Sequence, residues 1–172
     1  MHTKRLLLVV DVQNGFVTNE ATSAIIPRIN RLIEKWQAAE QPVVFTRFIN
    51  RKDSPWVRFT GWDELTAPPD IDLHPSLKQD YGEVYDKTAF SAWSNEIAQV
   101  CRAHKVEEVL LCGIDTDQCV LATALSVFEA GLRPLIATDC CASSAEEKFH
   151  EAGIMLLERL IGSEQLIKSD TL

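Results

Sequence analysis

Residues 6–16 read LLLVVDVQNGF, and this stretch decides the fold. The apolar run that ends at Val10 is continuous, which is typical of a strand buried on both faces of a parallel sheet. Asp11 follows the run directly. The stretch therefore predicts a central strand with a carboxylate at its carboxyl end.

Helical and strand patterns alternate along the rest of the chain. Apolar residues recur with a helical period across residues 24–39. Further helices are predicted at 94–104, 117–130 and 146–159, and further strands at 43–49, 83–86, 108–113, 133–138 and 165–168. Such alternation indicates a mostly parallel sheet. We predict one α/β domain over residues 1–172, a Rossmann-like three-layer sandwich with six strands in the order 3-2-1-4-5-6 and helices on both faces.

Residues 50–83 interrupt this alternation. The segment contains four prolines and few periodic runs, so we interpret it as a long connection between two strands. A loop of this length inside a compact domain is commonly functional. The sequence leaves open whether it covers the site as a lid or contacts another subunit.

Composition excludes several function classes. The chain of 172 residues has a net charge of −8 and a pI near 5.0, which argues against a nucleic-acid surface. No apolar stretch approaches the ~20 residues of a membrane span, and the N-terminal run is too short for a secretory signal. We therefore expect a cytoplasmic protein that binds neither nucleic acid nor membrane. The five cysteines, an odd number, argue against a disulfide framework.

Three polar residues follow predicted strands, namely Asp11, Lys87 and Cys119. Strand ends of the same polarity meet at one edge of a parallel sheet, where ligands bind. We predict that Asp117 caps a helix and places Cys119 in its first turn, where backbone amides and a nearby lysine favour the thiolate. A carboxylate could accept the thiol proton, and the amides around Asp115 could bind an oxyanion.

Each of these residues also has a structural interpretation. A cysteine at a helix start is commonly an inert core residue. Asp11 could cap the following turn, and Lys87 could be solvated. Only their joint placement indicates acyl-transfer chemistry.

A Cys–His pair is the usual alternative nucleophile. His104 is predicted at the opposite edge of the sheet, and His150 is interpreted as a solvated residue among glutamates. His2 lies at the terminus. His74, in the long connection, is the one histidine that the sequence does not exclude from the site.

Four motifs resemble one known family. LLLVVDVQNGF, VYDKTAFSAW, LCGIDTDQCVLATA and LIATDCCASS are similar, in this order, to segments of the isochorismatase-like hydrolases, or cysteine hydrolases. That family includes nicotinamidases, N-carbamoylsarcosine amidases and isochorismatases. The resemblance implies a catalytic triad of Asp11, Lys87 and Cys119. It also implies a cis peptide between Ile114 and Asp115, an oxyanion hole from the Asp115 and Cys119 amides, and a homo-oligomer, either a dimer or a tetramer.

The branch of the family can be narrowed. Isochorismatases proper lack the cysteine, so Cys119 favours covalent hydrolysis of an amide or ureide. Nicotinamidases carry an Asp-x-His…His metal site after the second strand, where this chain reads TRFINRKDSPW. We predict a metal-independent cysteine hydrolase without a cofactor that cleaves a small amide, carbamoyl or ureide C–N bond. Vinyl-ether hydrolysis and a catalytically silent binding protein are the alternatives.

The substrate pocket is the least determined part of the site. We expect aromatic side chains near the motifs and in the long connection to line it or to pack the loop. These candidates are Phe16, Phe48, Trp56, Phe90 and Trp93, with Phe59 and Trp62 nearby. Arg47 and Arg51 are candidates for binding a substrate carboxylate.

Overall fold

A single parallel sheet organises residues 3–172, which the computed structural model describes; His2 lies outside them. Its order is β3-β2-β1-β4-β5-β6, and every neighbouring pair is parallel, so the predicted topology is confirmed. The strands are β1 (Arg5–Val10), β2 (Val43–Phe48), β3 (Glu83–Lys87), β4 (Glu108–Ile114), β5 (Arg133–Ala142) and β6 (Leu166–Ile167).

Helices cover both faces of the sheet, as predicted. They are α1 (Glu20–Ala24), α2 (Ile26–Ala38), α3 (Asn95–His104), α4 (Leu121–Glu129) and α5 (Glu147–Ile161). The helix predicted over residues 24–39 corresponds to α2, and the preceding α1 was not predicted. Asn19 caps α1, and Pro27, at the start of α2, has no N–H to continue the hydrogen bonding of α1.

Strands β1 and β4 form the centre of the core. The apolar side chains of β1 and all residues of β4 are buried, which explains why both segments read as unbroken apolar runs. β5 is longer than predicted, because its register against β4 shifts between Leu111 and Gly113. Lys87 is the last residue of β3 rather than the residue that follows it.

The carboxyl ends of β1, β2 and β4 meet beside Val10. Val10 pairs with Thr46 of β2 on one side and with Gly113 of β4 on the other. Gly113 has φ +124°, and a Cβ at this position would lie 2.1 Å from the carbonyl oxygen of Val10. Only glycine allows this approach. The residues that follow β1 and β4 are thereby brought together.

The connection between β2 and β3 is ordered rather than a simple loop. It contains a π-helical turn, Trp56–Thr60, and a 3₁₀ turn, Gln79–Tyr81. The buried Asn50 closes its first half, since its Nδ2 donates to the carbonyl oxygens of Trp62 and Glu64, both at 3.1 Å. The segment from Asn50 to Leu65 is called the Asn50 loop below.

Gln13 fastens the second half of the connection to the sheet. Its side chain accepts from the Phe48 amide at 2.7 Å and donates to the carbonyl oxygens of Phe48, at 2.9 Å, and Ile71, at 2.8 Å. Gln13 is fully buried. Its amide group thus satisfies three backbone groups where water has little access.

Replacing Gln13 with leucine is expected to lower the free energy of unfolding by about 3 kcal/mol or more. The substitution keeps the approximate volume but leaves three backbone groups without partners, and each buried unsatisfied group costs about 1–3 kcal/mol. Urea unfolding followed by far-UV circular dichroism measures the change.

Asn14→Ala is the control for that experiment. The neighbouring Asn14 side chain makes one exposed hydrogen bond, from Nδ2 to the carbonyl oxygen of Pro69 at 2.9 Å. We expect it to cost less than about 1 kcal/mol. Equal losses for the two variants would contradict the role assigned to Gln13.

Two further observations concern the sequence predictions. All five cysteines are free thiols. Within residues 3–172 no helix has both the length and the apolar character needed to cross a membrane. The single domain, the cytoplasmic location and the homo-oligomer stay predictions.

Candidate active site

Asp11 lies at the edge where the central strands end. Its backbone is in the left-handed region, with φ +50°, a conformation that costs a non-glycine residue about 1 kcal/mol or more. The side chain is fully buried. Thr46 Oγ1 donates to Oδ1 at 2.8 Å, and Lys87 Nζ lies 2.7 Å from Oδ2. The carboxylate is therefore held on both oxygens.

The Lys87 ammonium joins the carboxylate to the cysteine. Nζ donates to Cys119 Sγ at 3.4 Å and to the carbonyl oxygens of Ala89 and Phe90 at 2.8 and 3.1 Å. Burial by itself lowers the pKa of Lys87, but its interactions with Asp11 and Cys119 outweigh burial and raise the pKa overall. Lys87 is thus a buried ammonium whose protons are all directed at protein acceptors.

Cys119 lies in a short π-helical turn, Thr116–Val120, that precedes α4. The prediction that Asp117 caps this helix is wrong, because the turn begins one residue earlier and Asp115 precedes it without a side-chain cap. Two hydrogen bonds fix the turn, from the Gln118 and Val120 amides to the Asp115 carbonyl oxygen. The turn presents Cys119 toward Lys87.

The pKa of Cys119 shifts in the direction opposite to the sequence expectation. Burial raises the pKa of the thiol far above its usual range, the charge of Asp11 adds to the rise, and Lys87 opposes it. This direction favours the protonated thiol over the thiolate expected at a helix start. Desolvation of a thiol that is 5% exposed outweighs one nearby cation.

Two backbone amides lie beside the thiol. The peptide bond between Ile114 and Asp115 is cis. Within residues 3–172 the Asp115 amide has no protein acceptor, and the Cys119 amide has none outside its own turn. Both residues line the cavity described below. A ligand oxygen beside Cys119 would meet backbone donors there.

Asp115 is a second buried carboxyl group at the site. Ser144 donates to it twice, from N to Oδ1 at 2.6 Å and from Oγ to Oδ2 at 2.9 Å. Burial raises the pKa of Asp115 to about 6, although the Ser144 bonds lower it; Asp117 and Asp11 raise it further. The carboxyl group therefore titrates in a range where most aspartates are already ionised.

This shift predicts a pH dependence of stability. Between about pH 4 and 6 the folded carboxyl keeps a proton that the unfolded one has lost, so the free energy of unfolding falls as pH rises. Asp115→Asn is expected to remove a fall on the order of 2–3 kcal/mol between pH 4 and 7. Urea unfolding of both proteins at the two pH values measures it. The exposed Asp63→Asn controls for net charge, and an identical fall in wild type and Asp115→Asn would contradict the assignment.

A cavity of about 530 Å³ opens above Cys119. Of the five predicted pocket residues, Phe16, Phe48, Trp56 and Phe90 line it, and Trp62 of the Asn50 loop completes the aromatic wall. The rings contact one another, with 4.9 Å between the centroids of Phe48 and Trp56 and 5.2 Å between those of Trp56 and Phe90. The Asn50 loop therefore covers the site.

Two of the named aromatic residues lie elsewhere. Trp93 lines a separate cavity beside α3, because the buried Ala92 amide bonds to Thr123 Oγ1 and turns the chain inward after Phe90. Phe59 is 75% exposed on the outer side of the loop. The prediction that Trp93 lines the substrate pocket is therefore wrong, because Trp93 lines a different cavity.

The remaining lining residues are mostly polar, and sequence reasoning did not find them as a set. They come from the segment after β1, the Asn50 loop, the turn Thr116–Val120 and the segment after β5. These residues are Gly15, Thr18, Thr60, Glu64, Gln118 and Ser144. Ser144 lies in the LIATDCCASS motif. Gly15 and Gln118 also lie in quoted motifs, whereas Thr18, Thr60 and Glu64 carry no local signal, because tertiary folding alone brings them to the cavity.

Among residues 3–172, no histidine forms a Cys–His pair with Cys119. His150 is not the solvated residue that its glutamate neighbours suggested, since its Nδ1 lies 2.8 Å from Thr116 Oγ1. Helix α5 reaches this turn because Gly153 has no side chain; a Cβ there would lie 2.9 Å from the Asp117 backbone. The His74 ring accepts from the Ser76 amide at 3.3 Å and does not line the cavity.

The arginine candidates are also outside the cavity. Arg47 forms a two-pronged ion pair with Asp86, at 2.7 and 3.0 Å. Arg51 is exposed. Neither arginine lines the cavity, so the expectation that Arg47 or Arg51 binds a substrate carboxylate is not met.

One protein-family model matches most of the chain. The model described as "Isochorismatase domain" matches residues 5–165. The chain belongs to the isochorismatase family. This confirms the family that the four motifs resembled.

Curated relatives in the isochorismatase family are distant. The chain is 26% identical over 151 residues to isochorismatase domain-containing protein 2B of Mus musculus, which covers 84% of the chain and 64% of the mouse protein. It is 27% identical over 174 positions to nicotinamidase 3 of Arabidopsis thaliana, which covers 96% of the chain and 85% of that protein. The chain thus spans less than two thirds of the mouse protein.

Solved structures share the fold over nearly the full length. The N-carbamoylsarcosine amidase of Thermoplasma acidophilum superposes with a TM-score of 0.86 at 22% identity and covers 99% of both chains. A nicotinamidase of Bacillus subtilis gives a TM-score of 0.83 at 22% identity, covering 96% of this chain and 100% of that one. These similarities establish the isochorismatase-family fold.

The metal site implied by nicotinamidases of this family does not fit the residues present. In residues 3–172 no group of three or more His, Cys, Asp and Glu side chains is arranged to hold a metal ion. After β2, where that site would follow, residues 49–56 read INRKDSPW and contain no histidine. The chemistry is therefore derived from protein groups alone.

Proposed function

We propose that this protein is a metal-independent cysteine hydrolase that cleaves a small amide, carbamoyl or ureide C–N bond through an acyl-enzyme on Cys119. One observation carries the proposal: a buried ammonium, Lys87, lies 2.7 Å from a carboxylate oxygen of Asp11 and 3.4 Å from a thiol sulfur. A carboxylate and a thiol that both contact one buried ammonium beneath a cavity supply a base, a nucleophile and an electrostatic partner.

The first half-reaction forms the acyl-enzyme. The thiol proton moves to Asp11 as the Cys119 Sγ–C bond forms, and the carbonyl π electrons move to oxygen. The amides of Asp115 and Cys119 would bind that oxyanion. Collapse breaks the C–N bond, Asp11 returns the proton to the leaving nitrogen, and ammonia or an amine departs.

The second half-reaction releases the acid. Water attacks the thioester carbonyl, and Asp11 accepts one of its protons. The C–S bond breaks, the thiolate regains a proton from Asp11, and the carboxylic acid leaves. Asp11 thus acts as base and acid in turn, and the resting thiol is restored.

The raised pKa of Cys119 fits this cycle. A thiol that remains protonated at rest gives up its proton only when a carbonyl carbon is present to receive the sulfur electron pair. Lys87 stays charged throughout and stabilises whichever of Asp11 and Cys119 carries the negative charge.

The test is a screen for ammonia release. Wild-type protein is incubated with small aromatic and aliphatic amides, N-carbamoyl compounds and ureides, with Cys119→Ala as the blank, before and after dialysis against EDTA. The proposal expects release by the wild type alone, unchanged by EDTA. Equal release by the blank, loss of release after EDTA, or cleavage of vinyl ethers by the Cys119→Ala protein would contradict it.

A further inference from the structure

The charged groups on the cavity wall all have the same sign. Among the lining residues that the structure describes, the ionisable side chains other than Cys119 are the carboxyl groups of Glu64 and Asp115. Glu64 is exposed at the wall, where its Oε2 accepts from Trp62 Nε1 at 3.2 Å. A ligand in the cavity therefore meets carboxylates and meets no lysine or arginine in this lining.

Two cations on the neighbouring strands β2 and β3 are already paired. Lys87, beneath the cavity, donates to Cys119 and to the carbonyl oxygens of Ala89 and Phe90 and is ion-paired with Asp11. Arg47 is paired with Asp86 and lies 3.8 Å from Asp72. A substrate carboxylate would find no ion-pair partner among the lining residues, and an unpaired charge is costly to desolvate.

The aromatic wall favours the opposite charge. The faces of tryptophan and phenylalanine rings attract cations through the negative centre of the ring quadrupole. Trp62 stacks on Phe16 with the centroids 6.4 Å apart, and Glu64 follows two residues later on the same wall. A cationic group on the substrate would meet ring faces and a carboxylate together.

We propose that this site accepts uncharged or cationic amides and rejects anionic ones, and that Glu64 is a specificity-determining residue. The inference rests on the proposed function for the identity of the scissile group. It narrows the substrate class to amides without a carboxylate, of a size that suits a cavity of about 530 Å³.

Binding of three matched ligands to the Cys119→Ala protein tests the proposal. Benzamide, 4-(aminomethyl)benzamide and 4-carboxybenzamide share one ring and one amide and differ in charge; isothermal titration gives each Kd. We expect the anion to bind at least tenfold more weakly than benzamide and the cation at least as tightly. Glu64→Gln is expected to narrow the ratio of anion Kd to cation Kd about three- to tenfold.

Asp63→Asn is the matched control. It removes the same charge one residue away, from an exposed side chain that does not line the cavity. An equal change of the ratio in this variant would overturn the role of Glu64 and assign the effect to the net charge of −8. Anion binding as tight as that of benzamide, or no binding by benzamide and the cation, would overturn the charge selection itself.

The same ligands separate this inference from the proposed function. Titration of the Cys119→Ala protein needs no catalysis, so charge selection is measured even if nothing is cleaved. If the wild type binds benzamide and its cationic analogue but releases no ammonia from either, the proposed hydrolysis fails while the charge selection stands.

Discussion

Cys119→Ala is expected to lower kcat/KM for amide hydrolysis by about 10⁴-fold or more, because the first half-reaction has no other nucleophile in contact with Lys87. Ammonia release measures the loss. Intact-mass analysis of wild-type protein quenched during turnover is expected to show the acyl adduct, and the variant should show none.

Cys101→Ala is the control for this loss. Cys101 is also a buried thiol, 4% exposed, but it lies on α3 and borders a separate cavity. We expect near wild-type turnover. An adduct that persists in the Cys119→Ala protein, or a loss of activity in Cys101→Ala as large as that in Cys119→Ala, would argue for a different nucleophile.

Lys87→Met is expected to abolish turnover and to lower the free energy of unfolding by about 3–5 kcal/mol at pH 7. Methionine keeps the length of the side chain but leaves Asp11, fully buried, as an uncompensated charge. Urea unfolding and ammonia release measure the two effects.

A double variant separates charge from packing. In Asp11→Asn/Lys87→Met the buried carboxylate that Lys87 had paired is gone, and the new amide still accepts from Thr46, so most of the stability is expected to return while activity stays absent. Lys78→Met, which removes a surface ion pair with Glu34, should change stability little. Equal losses in the single and double Lys87 variants would show that the buried charge is not the cause.

The fold could be predicted because its signals are local. The apolar run that ends at Val10 and the alternation of strands with helices fixed the sheet class, and the polar residues that follow strands indicated the edge that carries the site. The strand order also rested on the family resemblance. Asp11, Lys87 and Cys119 were found because a polar residue that follows a predicted strand can be recognised in the sequence.

Features that depend on tertiary contacts were missed. The raised pKa of Cys119 comes mainly from burial in the folded protein, which no local sequence pattern contains. His150 has glutamate neighbours along the chain, yet helix packing against the Cys119 turn pairs it with Thr116. Trp93 resembles a pocket residue in sequence, but the inward turn at Ala92 directs it elsewhere.

The Asn50 loop and the reacting groups belong to different parts of the chain. It supplies Trp56, Trp62 and Glu64 to the cavity, whereas the reacting groups come from the sheet edge and the turn before α4. Because Asn50 closes the loop on itself, insertions and substitutions within it can accumulate without moving the sheet. Replacing the Asn50 loop with the equivalent segment of a relative is therefore a route to a different substrate preference. The reacting groups, which lie outside the loop, would stay the same.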